Sequence, residues 1–171
     1  MKIETERLII TEFNLSMAES VHKNSLDDDN RKFLPDEVFE TVEDAKETIE
    51  FLISAYESTE GPFVYPILLK GENQNVNIGH VQLVSIENGF EVGYHIGKEY
   101  TNKGYASEAL NAFLCEIMKK KNLDFVYEIC ISENIASRKV LEKCGFKMEY
   151  EGDGEYHDEI RQIEKYVLKR K

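Results

Sequence analysis

The sequence predicts an α/β fold in which helices cover both faces of a mixed, mostly antiparallel, twisted sheet of about seven strands. Strand-like and helix-like segments follow one another in the order β-α-α-β-β-β-α-β-α-β-β. Hydrophobic residues make up 42% of the chain and charged residues 32%, which is typical of a globular protein. No repeat or linker interrupts the 171 residues, so one domain over residues 1–171 is expected.

The first third of the chain is predicted to form one strand and two helices. A strand is expected over residues 7–13 and a helix over about residues 16–25. Residues 27–30, Asp-Asp-Asp-Asn, are interpreted as a solvated loop because charge runs are usually hydrated. Thr41 is expected to begin the second helix as its N-cap, with Asp44 at the capping-box position.

The middle of the chain is predicted to be an antiparallel meander. Residues 63–69 and 76–84 have strand composition and flank a polar, Gly-bearing turn. An Asn-Gly pair at residues 88–89 then leads into a third strand over residues 90–96, which is rich in β-branched and aromatic side chains. These three strands are therefore expected to be neighbours in the sheet.

A helix, a strand and a second helix are expected next. Residues 104–121 have apolar side chains at helical spacing, and residues 125–131 form a short apolar run typical of a buried strand. Asn134 begins the second helix, and Gly145 is expected to end it in the left-handed conformation.

The chain is expected to end in an antiparallel strand pair. Residues 146–150 and 161–168 are interpreted as its two strands. Residues 152–158 are expected to connect them, with His157 and Asp158 shaping a turn.

The turn between the 90–96 strand and the following helix has the features of a phosphate site. A helix N-terminus leaves its first amides unpaired and carries a partial positive charge. Gly104 lets the backbone approach a bulky anion, and Lys103 adds a full positive charge. The alternative is an ordinary strand-to-helix turn.

A second motif makes the phosphate interpretation more specific. Residues 134–146 read Asn-Ile-Ala-Ser-Arg-Lys-Val-Leu-Glu-Lys-Cys-Gly-Phe. In this order and spacing, the two motifs resemble the GNAT superfamily of acetyl-CoA-dependent N-acetyltransferases. The opening residues 5–13, Thr-Glu-Arg-Leu-Ile-Ile-Thr-Glu-Phe, resemble its ribosomal-protein alanine acetyltransferase branch, the RimJ/RimL-like proteins. The resemblance covers residues 4 to about 168 and implies a GNAT-like acyl-CoA N-acyltransferase fold, acetyl-CoA as co-substrate and no metal.

The resemblance also implies where CoA binds. Its pyrophosphate would lie on the amides of Thr101, Asn102, Lys103, Gly104, Tyr105 and Ala106. Thr101 departs from the family pattern, which has Gln, Arg or Trp at this position, so a longer side-chain contact is missing. Lys103, Arg138 and Lys139 are candidate phosphate contacts, with solvated helix surface as the alternative for each.

The pantetheine arm is expected to pair with the strand edge as an added strand would. The residues implied are Tyr94, His95 and Ile96 on the strand, and Asn134 and Ser137 on the following helix. A bulge near Tyr94 or His95 would aim an amide at the thioester carbonyl and stabilise the oxyanion. The alternatives are a plainly paired strand and, for Asn134, a simple helix N-cap.

The catalytic residues are less clearly indicated than the CoA site. Many GNAT enzymes protonate the departing thiolate with a tyrosine, but Leu141 occupies that position, which leaves Ser137 as the hydroxyl of this motif. Glu91 is the first choice for the general base that takes a proton from the amine. His95, on the same strand face, and His80, on the neighbouring strand, are the alternatives, and each of the three could instead be structural.

Charge and hydropathy narrow the partners. The net charge is −12, and residues 1–60 contain 16 acidic but only 6 basic residues, which disfavours nucleic acid and favours a cationic amine, although solubility alone would also explain the charge. No long apolar run or signal peptide is present, so a cytoplasmic protein without membrane contact is expected.

Protein N-termini, polyamines, amino acids and aminoglycosides all fit as acceptors. They would bind among residues 25–35, the Thr41 helix and the last two strands. A homodimer is compatible with the sequence, and a non-catalytic acetyl-CoA-binding module is the alternative function.

Overall fold

The computed structural model describes residues 1–170, and this part of the chain contains one eight-stranded sheet and five α-helices. The strands are β1 (Ile3–Glu4), β2 (Leu8–Ile10), β3 (Phe63–Leu69), β4 (Val76–Ile86), β5 (Gly89–Ile96), β6 (Phe125–Ile131), β7 (Lys147–Tyr156) and β8 (Glu159–Lys169). The helices are α1 (Ala18–Ser25), α2 (Asp28–Phe33), α3 (Val42–Ala55), α4 (Tyr105–Lys120) and α5 (Ile135–Lys143). The strand order is β1-β2-β3-β4-β5-β6-β8-β7, and only the β5–β6 pair is parallel.

Helices pack on both faces of the sheet, as predicted. On one face the apolar stripe of α4, including the fully buried Phe113 and Ile117, packs against the central strands. On the other face Ile49 and Leu52 of α3 form a smaller core with Phe13 of the β2–α1 connection. The central strands are therefore covered by helices on both sides, and their core is excluded from water.

Two elements near the N-terminus were not predicted. The expected seven strands become eight because Ile3–Glu4 pairs antiparallel with residues 9–10 of β2. The expected loop at residues 27–30 is wrong, because α2 begins there. Asp27 is its N-cap, and its carboxylate accepts a hydrogen bond from the Asn30 amide at 2.8 Å. Acidic residues stabilise the first turn of a helix, so the charge run starts a helix instead of marking a hydrated loop.

The last strand pair is longer than expected. β7 and β8 together span Lys147 to Lys169, so the assignment of residues 152–158 to a connection is wrong over most of its length. Only His157 and Asp158 form the turn, with φ of 49° and 62°. A two-residue hairpin turn with both residues left-handed matches the twist of the flanking strands, and the turn predicted for these two residues is confirmed.

Two helix ends have the predicted geometry. The Thr41 side chain accepts from the Asp44 amide at 3.1 Å, and the Asp44 side chain accepts from the Thr41 amide at 3.0 Å, which is a complete capping box. Gly145 follows α5 with φ of 87° and donates to the Glu142 carbonyl, while the Phe146 amide donates to the Leu141 carbonyl. These are the two bonds of a Schellman motif. No helix within residues 1–170 is both long and apolar enough to cross a membrane.

Candidate active site

The sheet opens between its two parallel strands. β5 and β6 are in register at one position, Glu91 opposite Tyr127, and are unpaired beyond it. The Gly97 amide donates to the Ile78 carbonyl on the β4 side. Because bonding alternates along an antiparallel pair, the amides of Tyr94 and Ile96 then point away from β4, into the opening. This edge can accept an extended ligand as an added strand.

The bulge expected near Tyr94 or His95 is absent. The register of β5 with β4 is unbroken from Ile96 opposite Gly79 to Gly89 opposite Ile86. The irregularity instead lies between β3 and β4, where the register shifts between Ile67 and Leu68. Any β5 amide that faces a ligand in the opening therefore belongs to a regular, unbulged part of the strand.

The turn before α4 offers a row of free backbone donors. Within residues 1–170, the amides of residues 102–107 donate no hydrogen bond to the protein. The first helical bond runs from the Glu108 amide to the Gly104 carbonyl at 3.1 Å. Asn102 and Gly104 have φ of 60° and 82°, which curls the backbone and makes successive amides converge. Converging amides at a helix N-terminus form an anion site, and a diphosphate fits them.

Arg7 holds this turn in place. Its guanidinium donates to the Lys103 carbonyl at 2.9 Å and to the Glu108 carboxylate at 2.7 Å, and it lies 4.5 Å from the centre of the Tyr105 ring. Burial opposes ionisation of Glu108, but hydrogen bonds from Thr5 and Arg7 outweigh it and lower the pKa of this carboxyl. The charge of Glu108, in the first turn of α4, is therefore balanced by Arg7. Sequence reasoning missed Arg7 because almost one hundred residues separate it from the turn.

The side chains predicted to assist at this turn have other partners. The Lys103 ammonium donates to the Glu99 carbonyl at 2.8 Å, and the Thr101 hydroxyl donates to the Lys98 carbonyl at 2.9 Å. The Thr101 amide also donates to Lys98, so the run of free amides begins at Asn102. The backbone, more than the side chains, supplies the anion-binding groups here.

The N-terminus of α5 shows which α5 residues are available to a ligand. The Asn134 side chain accepts from the Ser137 amide at 3.1 Å, so Asn134 is the helix N-cap. Arg138 is held by the carboxylate of Glu164, which is only 1% exposed, and also donates to the Ser132 carbonyl. These bonds occupy the guanidinium of Arg138 and disfavour its use as a phosphate contact.

Two hydroxyl groups meet where the opening passes under α5. The Tyr94 and Ser137 hydroxyls are 3.1 Å apart. Burial raises the pKa of Tyr94 far above its ordinary value, so its phenol stays protonated at any physiological pH. Leu141, at the position of the family's usual acid, is fully buried in the core. The sequence had assigned only the backbone of Tyr94 to the site, because its pairing with Ser137 depends on the packing of α5.

Three glutamates form an acidic cluster beside the opening: Glu37, Glu91 and Glu128. Burial raises the pKa of Glu128 well above its usual range, and the charges of Glu91 and Glu37 raise it further. One carboxylate oxygen of Glu128 has no hydrogen-bond partner within residues 1–170. Burial also raises the pKa of Glu91. The cluster therefore contains carboxyl groups that hold protons more tightly than an exposed glutamate does. Sequence reasoning found only Glu91, since Glu37 and Glu128 lie in unremarkable patterns.

The two candidate histidines already have acidic partners. His80 Nε2 lies 3.1 Å from a Glu37 carboxylate oxygen, and His95 Nε2 lies 3.8 Å from an Asp27 oxygen. Burial opposes ionisation of Glu37, yet the charge and hydrogen bond of His80 prevail and lower the pKa of Glu37. These contacts support a role for both histidines in anchoring the segment around α2, which favours Glu91 as the base.

We expect Glu128→Gln to stabilise the fold near neutral pH. Because the pKa of Glu128 is raised above 4.5 in the folded state, the folded chain binds more protons than the unfolded chain above that pH. Stability is therefore lost as pH rises through this window, and glutamine removes the loss. Thermal unfolding between about pH 4 and 8 should show that Glu128→Gln is more stable than the wild type, by a difference that shrinks as the pH falls. Glu116→Gln, on the exposed side of α4, is the control. If the stability difference between Glu128→Gln and the wild type grows as the pH falls, the raised pKa of Glu128 is contradicted.

A cavity of about 230 Å³ lies beside the acidic cluster, between α2, the end of β6 and the β7–β8 hairpin. Its lining residues are Arg31, Lys32, Pro35, Ile131, Tyr156, His157, Glu159 and Arg161. Of the segments predicted to form the acceptor pocket, residues 25–35 and the last two strands line this cavity, whereas the Thr41 helix does not. Burial and the charges of the acidic cluster raise the pKa of Tyr156. The Tyr156 hydroxyl donates to the Phe33 carbonyl at 2.7 Å, which ties β7 to the end of α2.

This fold, with a sheet opened next to a turn of free amides, is that of the acyl-CoA N-acyltransferases. The family model described as the acetyltransferase (GNAT) domain matches residues 7–147. The chain belongs to this GNAT family of acetyl-CoA-dependent N-acetyltransferases.

Relatives agree with this assignment. The chain is 34% identical over 151 residues to the uncharacterized N-acetyltransferase YnaD of Bacillus subtilis, covering 87% of this chain and 84% of that protein. The structure of a GNAT-family acetyltransferase from Bacillus anthracis is 31% identical, with a TM-score of 0.84 over 99% of this chain and 98% of that one. RimL, a ribosomal L7/L12 α-N-protein acetyltransferase in complex with CoA, shares the fold at 17% identity, with a TM-score of 0.80 over 99% of this chain and 98% of that one.

Proposed function

We propose that residues 1–171 act as one domain that transfers the acetyl group of acetyl-CoA to a primary amine while both substrates are bound. The observation that carries the proposal is the run of free amides at residues 102–107 beside the open edge of β5. Together they match two adjoining parts of a CoA molecule, its diphosphate and its extended, amide-bearing pantetheine arm. In this arrangement the free amides bind the pyrophosphate, and Tyr94 and Ile96 pair with the pantetheine arm.

Glu91 is the proposed general base. An alkylammonium has a pKa near ~10, so its proton must be removed before the nitrogen can attack. Glu91 lies where β5 and β6 separate, and burial brings its pKa closer to that of the amine. It would take the proton directly or through one water molecule. Glu128, which holds its own proton more tightly, is then a neighbour that tunes the cluster.

The Tyr94–Ser137 hydroxyl pair is proposed to serve the departing thiolate. Tyr94 keeps its proton, and Ser137 lies 3.1 Å from it at the end of the opening under α5. A hydroxyl pair can donate a hydrogen bond to sulfur where Leu141 cannot. The acetyl group would pass directly to the amine, because burial raises the pKa of the Cys130 thiol to about 12 and that of Cys144 to about 11. Thiols that remain protonated are poor nucleophiles for an acyl-enzyme route.

Free-thiol release from acetyl-CoA, measured across a panel of amines, tests the proposed function. Acetyl transfer predicts CoA binding in the absence of an amine and thiol release in the presence of one. The buried Leu141 in place of the usual acid motivates the second candidate, a non-catalytic acetyl-CoA-binding module. That module would bind CoA but release no thiol with any amine. Absence of CoA binding would overturn both.

Tyr94→Phe is expected to lower kcat by about tenfold and to leave CoA affinity unchanged. The loss is modest because a thiol has a pKa near ~8.5 and is a good leaving group even without an acid. Tyr150→Phe on the exposed β7 edge is the matched control, since its hydroxyl bonds only to the Asp153 carbonyl. If both variants keep the wild-type kcat, the hydroxyl pair has no role in the reaction.

A further inference from the structure

The cavity beside the acidic cluster has an unexpected charge. Three cations line it, Arg31, Lys32 and Arg161, which we call the cationic rim, and the single acidic lining residue is Glu159. This excess of positive charge stands in a chain whose net charge is −12. Cations clustered on one cavity wall can bind an anion that displaces their present partners.

Each cation of the cationic rim already has a carboxylate partner. Arg161 pairs at 3.3 Å with Glu159, which itself lines the cavity. Arg31 pairs with both carboxylate oxygens of Glu40, and Lys32 pairs with Glu133 at 2.7 Å, but neither of these two glutamates lines the cavity. Each side chain of the latter two pairs is at least 44% exposed. Exposed ion pairs contribute little to stability, so a ligand anion could replace these partners at small cost.

One residue of the cavity wall, Tyr156, relates the cavity to the acidic cluster. Tyr156 lines the cavity, and the charges of Glu37, Glu91 and Glu128 all contribute to the raised pKa of its hydroxyl. The three glutamates do not themselves line the cavity, and Tyr156 is the lining residue whose pKa they influence. The cavity volume of about 230 Å³ corresponds to roughly eight water molecules, which suits a compound of about amino-acid size.

We propose that the acceptor is a small amine that also carries a carboxylate, of the free amino acid class. Its carboxylate would bind the cationic rim, and its amine would extend past Tyr156 toward the opening, where Glu91 removes the proton. This inference rests on the proposed acetyl transfer and narrows its acceptor. The acidic composition of residues 1–60 favoured a cationic amine. Composition does not show that Arg31 and Lys32, two of the basic residues in this segment, line the cavity.

Matched acceptor pairs test this assignment. The twenty free amino acids are compared with their carboxamides, which keep the amine but lose the carboxylate, and spermidine represents cationic amines. Thiol release should show at least one amino acid with kcat/KM about tenfold or more above that of its carboxamide, because charge-assisted hydrogen bonds to the rim are lost in the amide.

Arg161→Gln separates the rim from general effects on the enzyme. Arg161 lies on β8 and is 33% exposed, so it is the most fixed of the three rim cations. Its replacement should raise KM for the preferred amino acid about tenfold, with less than about a twofold change for the carboxamide. Lys46→Gln, which removes a paired, partly exposed cation from α3 away from the cavity, should change neither value.

The outcomes distinguish this proposal from the transfer function itself. If carboxamides or spermidine are acetylated as well as amino acids, or if Arg161→Gln affects acid and amide equally, the carboxylate site is overturned while acetyl transfer stands. If CoA does not bind, the proposed function fails. If CoA binds but no amine is acetylated, thermal unfolding of the CoA-loaded protein decides. Stabilisation by free amino acids and not by their carboxamides supports the site, and equal or absent stabilisation overturns it.

Discussion

Glu91→Gln is expected to lower kcat by about 10²–10⁴-fold, the usual contribution of a general base. Glutamine preserves the shape of the side chain and its contact with the opening, so CoA affinity should not change. The effect follows from position and burial together. Glu91 is the last β5 residue in register with β6, and burial raises its pKa. Steady-state kinetics with a saturating amine, together with calorimetric titration of CoA, would measure both quantities.

The pH dependence provides a second readout of the same prediction. The base must be ionised to act, so kcat/KM should rise with pH through the raised pKa of Glu91 and not through the ordinary carboxyl value of 4.5. In Glu91→Gln this rise of kcat/KM with pH should vanish, and only the pH dependence due to ionisation of the amine itself should remain. Glu116→Gln, on the exposed side of α4, should behave like the wild type. If Glu91→Gln retains full activity, the base lies elsewhere in the acidic cluster.

Those parts of the fold that depend on local chemistry could be predicted from the sequence. The Thr41–Asp44 capping box and the stop at Gly145 each involve residues within five positions of one another. The free amides before α4 follow from a strand that ends where a helix begins. One local error, the loop assigned to residues 27–30, arose because an acidic run fits both a hydrated loop and a helix N-terminus.

Much of the site could not be predicted because its contacts join distant segments. Arg7 reaches the α4 turn, Glu37 meets His80, and Tyr94 meets Ser137 only after the sheet and helices have packed. The Arg7 contact explains why the α4 turn keeps its shape. The other two contacts change the roles of His80 and Tyr94, which the sequence did identify. Periodicity reports which face of an element is buried, but it does not report which polar side chains from other elements share that face.

The opened sheet connects these observations. β5 also pairs with β4, and β6 also pairs with β8. Where β5 and β6 separate, each strand therefore stays hydrogen-bonded to its other neighbour. The opening admits an extended ligand while the buried glutamates, which would destabilise a closed core, lie beside it. Burying Glu128, which has one carboxylate oxygen without a partner within residues 1–170, costs stability, so the proposed function accounts for this residue better than folding does.

Gly104→Val is expected to weaken CoA binding by about 10–100-fold. Gly104 has φ of 82°, a conformation that a β-branched residue strongly avoids, and a Cβ there would lie 3.4 Å from the Arg7 guanidinium. Relieving this strain would rotate the turn and turn its free amides away from a bound diphosphate. Each charge-assisted hydrogen bond lost contributes about 1.5–3 kcal/mol, which gives the expected range. Calorimetric titration with CoA would measure the loss.

Gly145→Val is the matched control for this change. Gly145 has nearly the same φ, 87°, and its Cβ would meet only the Leu168 side chain at 3.8 Å. Both variants should therefore lose similar thermal stability, about 1–2 kcal/mol from the left-handed backbone, whereas only Gly104→Val should lose CoA affinity. If the two variants bind CoA equally well, the amides of residues 102–107 do not hold the pyrophosphate, and the placement of the cofactor proposed here is wrong.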